Sequence, residues 1–187
     1  MELSIFPMAW KKQLALPDGK VVALRDLSRK DSPKELADFI NSFLKEKAYL
    51  RINRKISVAE EKAWIRSRLK GMKKGNIIHL HLECKGKLVG VVDAERGEYK
   101  HHGNVFLGIT ILPPFRSKGL GEFALRELIA RAKSEMKPKN IYLTVYTDNK
   151  KAIRLYRKLG FVRHHVLKNW INHYGRYLDE EFYILKR

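Results

Sequence analysis

The sequence predicts a mixed α/β domain: one central, mostly antiparallel sheet of six to seven strands, flanked by about four helices. Two observations carry this. A run of β patterns with tight turns occupies residues 77–112, and from residue 113 onward helical and β patterns alternate. The 187 residues read as a single domain over 1–187, with 1–20 a less regular N-terminal extension or hairpin.

The elements follow in order. Asp18-Gly19, between Gln13-Leu14-Ala15-Leu16 and Val21-Val22-Ala23-Leu24, predicts a hairpin. Ser32-Pro33-Lys34-Glu35 supplies an N-cap, a first-turn proline and a capping-box glutamate, with Leu36, Phe39, Ile40, Phe43 and Leu44 at helical spacing behind it. A second capping box, Ser57 to Glu60, opens a helix that carries Trp64, Ile65 and Leu69 and ends near Gly71. Ile77–Cys84, Leu88–Glu95 and Val105–Leu112 form a three-strand meander. Leu120, Ala124, Leu128 and Ala132, with Met136, define a long helix. A strand at 141–146, a helix from Asn149 to Leu159 stopped by Gly160, and strands at 161–167 and 181–185 complete the chain.

Composition narrows the function classes. No apolar run approaches the ~20 residues of a membrane helix. Met1-Glu2-Leu3-Ser4 lacks the basic and apolar start of a secretory signal, so the expected location is the cytoplasm. Cys84 is the only cysteine; it excludes an internal disulfide and reads as a plain strand residue. The net charge of +19 favours anionic partners: a polyphosphate cofactor, nucleic acid, ribosomes or acidic proteins. The basic residues are spread over the whole chain, however, and together with a single glutamine they give a thermophile-like composition. The seven histidines predict polar surface rather than a metal centre. His79 and His81 share a strand face, and His101-His102 and His164-His165 are adjacent pairs without a third ligand at a metal-binding spacing.

The segment richest in chemistry is Pro113-Pro114-Phe115-Arg116-Ser117-Lys118-Gly119-Leu120-Gly121, which joins a β pattern to an α pattern. Its glycines let the backbone approach a ligand, and the helix start behind them offers unpaired N–H groups to a phosphate. Arg116 and Lys118 add positive charge, although Lys118 also suits a solvent-facing position. Gly119 to Ala124 matches G-x-G-x-x-A, a dinucleotide fingerprint, with Asp148 near the distance of a ribose-binding acid. Against that reading, Pro113 to Lys118 separate the strand from the first glycine, and an antiparallel section precedes it.

Arg116-Ser117-Lys118-Gly119-Leu120-Gly121 also satisfies the pattern R/Q-x-x-G-x-G/A. Downstream stands Asn149, then Ala152, Leu155-Tyr156 and Leu159-Gly160-Phe161. Together the two segments resemble the GNAT superfamily of acetyl-coenzyme A-dependent N-acetyltransferases, over roughly residues 21–187. The resemblance implies acetyl-CoA as cosubstrate and no metal. The strand Ile109, Thr110 and Ile111 would run beside the pantetheine arm, with the main chain of Ile109 and Ile111 pairing with it. Main-chain N–H groups from Ser117 to Gly121 would hold the pyrophosphate. Asn149 would bond the cofactor near its pantetheine portion, and Tyr156 would protonate the departing thiolate. Asn149 also suits a helix N-cap and Tyr156 an ordinary core position. Many relatives carry a glutamate where this chain has Phe106, so the general base is unassigned among Asp93, Glu95 and Glu83.

The expected activity is acetyl transfer to a primary amine: a protein N-terminus, a lysine or a small amine. The charge favours an acidic peptide, a ribosomal protein terminus or a small anionic amine over a polycation. Trp170, Tyr174, Tyr177, Phe182 and Tyr183, with the connection from Asn169 to Glu181 including Asp179 and Glu180, are expected to shape the acceptor site or close the sheet. The rival is a basic GNAT-fold module that binds nucleic acid or ribosomes. An NAD-dependent oxidoreductase is the third reading. Membrane association is not expected, and the oligomeric state, monomer or homodimer, is left open.

Overall fold

The computed structural model describes residues 10–186, so the first nine residues of the expected N-terminal extension lie outside the described residues. The elements run β1 (Lys11–Ala15), β2 (Val21–Asp26), α1 (Pro33–Ser42), α2 (Val58–Lys73), β3 (Ile77–Cys84), β4 (Lys87–Arg96), β5 (Asn104–Ile111), α3 (Leu120–Arg131), β6 (Asn140–Tyr146), α4 (Lys150–Lys158), β7 (Phe161–His173) and β8 (Arg176–Leu185). They form one eight-stranded sheet in the order β1-β2-β3-β4-β5-β6-β8-β7. Every neighbouring pair is antiparallel except β5 and β6. The sheet has more strands than the six to seven expected, because the β1–β2 hairpin pairs into it through β3.

Local chemistry accounts for the elements. Ser57 and Glu60 close a capping box at α2. At α1 the expected box stays half open: Ser32 Oγ accepts the Glu35 N–H, but the Glu35 carboxylate accepts the N–H of Leu88 and ties α1 to β4. α3 ends at Arg131, and Ala132–Met136 continue as a π-helical turn. Gly160 has φ of +90°, which suits its place just after α4. The connection expected from Asn169 to Glu181 is instead two strand arms. β7 runs to His173, turns at Tyr174 and Gly175, and returns as β8, with register shifts absorbed between Leu167 and Ile171.

Strand alternation gives the sheet two different faces. Ile78, Leu80 and Leu82 of β3, Val92 and Ala94 of β4, Val105 and Leu107 of β5, and Ile141, Leu143 and Val145 of β6 join one apolar cluster with Leu120, Ala124, Leu125 and Leu128 of α3 and Ile153 and Tyr156 of α4. The second cluster, Leu27, Leu36, Phe39, Phe43, Ile65 and Leu88, lies under α1 and α2. On this α1–α2 side the alternate strand positions carry polar groups. His79 and His81 are each only 1% exposed, which overturns their expected place on the polar surface. A one-strand pattern does not show what covers its second face; here Trp64 of α2 meets His79 edge-on at 5.1 Å.

Candidate active site

Hydrogen-bond bookkeeping along β5 and β6 locates a gap in the sheet. The parallel ladder pairs Asn104, Val105 and Phe106 with Asn140, Ile141 and Tyr142 and goes no further. Beyond Phe106, β5 stays paired only with β4, through Ile111. In an antiparallel pair, alternate residues send both main-chain groups to the same neighbour. The Asn104 carbonyl accepts from Gly97, and the Leu112 N–H bonds the Val89 carbonyl, so even-numbered residues face β4. Leu107, Ile109 and Ile111 therefore direct their main chain into the gap. Of the three strand residues nominated from sequence, Ile109 and Ile111 fit main-chain pairing with a ligand. Thr110 turns its main chain to β4. On the other side, the Thr147 N–H bonds the Asp179 carbonyl, so Thr144 and Tyr146 of β6 face the gap.

At the end of β5 the chain turns sharply into α3. Ser117 has φ of +59° and Gly119 of +81°, two left-handed residues that flank Lys118. Arg116 N–H bonds the Pro113 carbonyl and Phe123 N–H bonds Gly119, whereas the N–H groups of Ser117 to Glu122 have no protein acceptor among the described residues. Six donors at the positive end of a 12-residue helix form a concave site suited to a diphosphate. Gly121 allows the close packing: a Cβ there would lie 3.2 Å from Leu155 and 3.6 and 3.7 Å from Ile111 and Ile109. Ser117 through Gly121 thus sit together as the sequence implied, with the Leu120 side chain buried.

The two cations serve the turn differently from the simple expectation of phosphate ligands. Arg116 Nε bonds the Ile111 carbonyl at 2.7 Å, and its guanidinium pairs with Glu46 at 2.5 and 3.2 Å. It braces the turn against the strand end and the segment after α1. Lys118 Nζ bonds Asp18 at 2.8 Å, and Lys20 shares that carboxylate, so the tip of the first hairpin is tied to the turn.

Asn149 caps α4: its Oδ1 accepts the Ala152 N–H at 3.2 Å, which leaves the Nδ2 amide unengaged among the described residues. Capping and cofactor contact are therefore compatible. Tyr156 packs in the apolar cluster on the α3–α4 side, its ring 6.1 Å from Phe161. Burial pushes its phenol up to about 12, and the hydroxyl has no hydrogen bond among the described residues.

The α1–α2 side of the gap differs in character. Phe106 meets Tyr142 edge-on at 5.4 Å, and Tyr142 stacks on Phe182 at 5.1 Å. The segment between α1 and α2 lies over them. Tyr146 OH donates to the Leu50 carbonyl at 3.1 Å, and the Arg51 guanidinium sits 4.9 Å over Phe106 and donates to Thr144 Oγ1 at 3.2 Å. A cavity of about 290 Å³ opens here, lined by Arg51, Tyr146, Trp170, His173, Tyr174 and Glu180 among others.

The acids considered as bases from sequence are engaged elsewhere. Asp93 and Glu95 pair with Arg68 at 2.7 and 2.6 Å, and burial pushes the Asp93 carboxyl up. Glu83 pairs with Arg25. Asp31, His81 and Glu83 have ligand atoms within 4.8 Å of one another, but the Arg25 guanidinium binds both carboxylates at the heart of that group. The acid that sequence reasoning passed over as a base is Glu180. It is 5% exposed, lines the cavity, and has neither ion pair nor hydrogen bond among the described residues. The Asp179-Glu180-Glu181 run marked it in sequence, but only the pairing of its two neighbours singles it out. Asp179 holds Lys168 and the Asn169 N–H, and Glu181 accepts from Tyr183 OH.

A sheet split between parallel strands, with a helix start rich in unpaired N–H groups at one side and a polar cavity at the other, defines an α/β domain with an open gap in its sheet. The particular family follows from sequence comparison: the profile of the Acetyltransferase (GNAT) family matches residues 37–161, and the chain belongs to that family, whose cosubstrate is acetyl-coenzyme A. A Salmonella typhimurium structure holding acetyl-CoA as its cofactor superimposes with a TM-score of 0.76 at 22% identity, covering 88% of this chain and 93% of that one. Escherichia coli spermidine N(1)-acetyltransferase is 34% identical over 80 residues, 43% of this chain and 42% of its own length. An Escherichia coli L-amino acid N-acetyltransferase is 29% identical over 96 residues, 50% of this chain and 59% of its own. The chain thus spans about half the length of these curated relatives.

Proposed function

We propose that the chain, as one N-acetyltransferase domain, transfers the acetyl group of acetyl-CoA to a primary amine by direct attack. The observation that carries this is the continuity of two rows of main-chain N–H groups without a protein acceptor among the described residues: Ile109 and Ile111 along the gap, and Ser117 to Glu122 at its end. An extended pantetheine arm suits the first as an added strand would, and a pyrophosphate suits the second. The Asn149 Nδ2 amide, unengaged among the described residues just beyond β6, supports a role for it as a donor to the arm. Neutral amine attacks the thioester carbonyl, and unpaired N–H groups on the gap edge stabilise the oxyanion. As the C–S bond breaks, the sulfur takes the electron pair and the Tyr156 hydroxyl supplies the proton. A buried phenol stays protonated at neutral pH, as this role requires.

Free-thiol release from acetyl-CoA in the presence of an amine panel tests the reading. Acceptor-dependent release with acetylated product is expected, and acetyl-CoA that stays intact with every primary amine offered would count against it. The +19 charge argues against a polycation such as spermidine and for acceptors with negative charge, acidic peptides or ribosomal protein termini among them. The same charge is what supports the rival, an RNA- or ribosome-binding GNAT module; that reading leaves the two rows of unpaired N–H groups without a role.

A further inference from the structure

We propose that the cavity on the α1–α2 side takes an amine that carries its own carboxylate close to the nitrogen, an amino acid, with Glu180 binding the ammonium and Arg51 the carboxylate. This rests on the acetyl-transfer reading above and deepens it.

Two charges of opposite sign line one cavity of about 290 Å³, the size of a small ligand rather than a large one. Neither is neutralised by the protein. Glu180 has no donor among the described residues, while the other acids around the sheet gap, Asp93, Glu95, Asp179 and Glu181, are each paired. A carboxylate that lines a cavity without a protein partner is open to a cationic ligand. Arg51 makes one hydrogen bond, to a hydroxyl, and has no carboxylate partner among the described residues. The planar fork of a guanidinium matches a carboxylate. Both charges lie near the Tyr146 phenol and act on it in opposite senses: Glu180 raises its pKa and Arg51 lowers it. Tyr146, His173 and Tyr174 give the cavity aromatic walls, with Tyr49 stacked on His173 at 5.5 Å. Glu180 stands opposite Tyr146 across β8 and β6, and the Tyr146 main chain faces the gap. An amine on Glu180 therefore waits on one side of the sheet, and Tyr156 and the diphosphate turn serve the thioester from the other.

The step balances. The ammonium releases one proton to Glu180, and the freed lone pair forms the C–N bond. The C–S bond breaks with its electron pair going to sulfur, which takes the Tyr156 proton. Glu180 gives the first proton to solvent and then relays the extra proton of the new N-acetyl nitrogen, by way of solvent, to the Tyr156 phenolate, so both groups return to their starting states. The net products are the N-acetyl amino acid, free coenzyme A and one proton.

The test uses the full chain, L-phenylalanine and phenethylamine, which differ only by the carboxylate, and measures thiol release beside acetyl-CoA affinity. We expect kcat/KM at least tenfold higher for phenylalanine. Arg51→Met, at an exposed position, should bring the two acceptors within about twofold by raising KM for phenylalanine alone. Glu180→Gln should lower kcat/KM at least tenfold for both, with acetyl-CoA affinity unchanged in both variants. Phenethylamine matching phenylalanine, full activity in Glu180→Gln, or no turnover of phenylalanine by protein that binds acetyl-CoA would each overturn the acceptor assignment and leave the transfer reading standing. Absence of acetyl-CoA binding would bring down both.

Discussion

Acidification should destabilise the protein through His79 and His81, and the size of the effect follows from their surroundings. Burial holds the His81 imidazole down at about 4 from an ordinary 6.5, with the charge of Arg25 adding to it and Asp31 and Glu83 opposing it. His79, buried beside His81 and Arg68, is also held well below its ordinary value, and neither of its ring nitrogens has a hydrogen bond among the described residues. Between 6.5 and about 4 the unfolded chain takes up a proton that the folded chain refuses. Stability is thus complete above 6.5 and is lost as pH falls toward 4. For His81 alone the fall from 6.5 to about 4 is worth on the order of 3 kcal/mol, of which about 2 kcal/mol is lost between pH 7.5 and pH 5. Asp93, pushed up by burial, titrates in the opposite sense, so the comparison is between variants. Urea unfolding at pH 7.5 and 5 should show that His79→Leu, His81→Leu flattens the pH dependence by at least 2 kcal/mol. An equal loss in parent and variant would refute the assignment.

Three further outcomes are expected. At Gly119 a Cβ meets no atom within 4 Å, so Gly119→Ala costs only the left-handed backbone, about 1–2 kcal/mol, read as a Tm lower by a few degrees; an unchanged Tm would contradict the φ of +81°. Tyr156→Phe should lower kcat by about 10²-fold or more at neutral pH while acetyl-CoA affinity holds, and full activity would remove the tyrosine from the chemistry. Arg116→Ala cuts the links to Ile111 and Glu46, so acetyl-CoA affinity should fall several-fold by titration calorimetry without loss of fold. Unaltered affinity would mean that Arg116 braces nothing the cofactor needs.

Features encoded within one stretch of chain were legible in the sequence. The Asp18-Gly19 turn, the Ser57–Glu60 box, the β-to-α turn at Arg116–Gly121 and the Asn149 cap each depend on residues a few positions apart. Features set by packing across the sheet were not. His79 and His81 follow a half-exposed pattern, and only packing across that face buries them, Trp64 against His79 and Asp31 beside His81. Arg116 reads as a phosphate ligand until Glu46, 70 positions away, comes beside it. Asp93, Glu95 and Glu180 are alike in sequence; Arg68 engages the first two, whereas the third has no ion pair among the described residues although Arg51 lines the same cavity. The length of β7 and β8 escaped notice for a related reason. Bulges break the alternation of apolar and polar residues that marks a strand.

The central claim is that the unpaired N–H groups of Ser117 to Glu122 receive the diphosphate of acetyl-CoA. Amide NMR of the isotopically labelled chain, titrated with acetyl-CoA and separately with NAD, tests it most directly. The account predicts that acetyl-CoA shifts the Ser117–Glu122 amides together with Ile109 and Ile111 and slows their exchange with solvent, and that NAD at equal concentration does not reproduce the Ile109 and Ile111 shifts. Saturating acetyl-CoA that leaves those eight amides unmoved would contradict it.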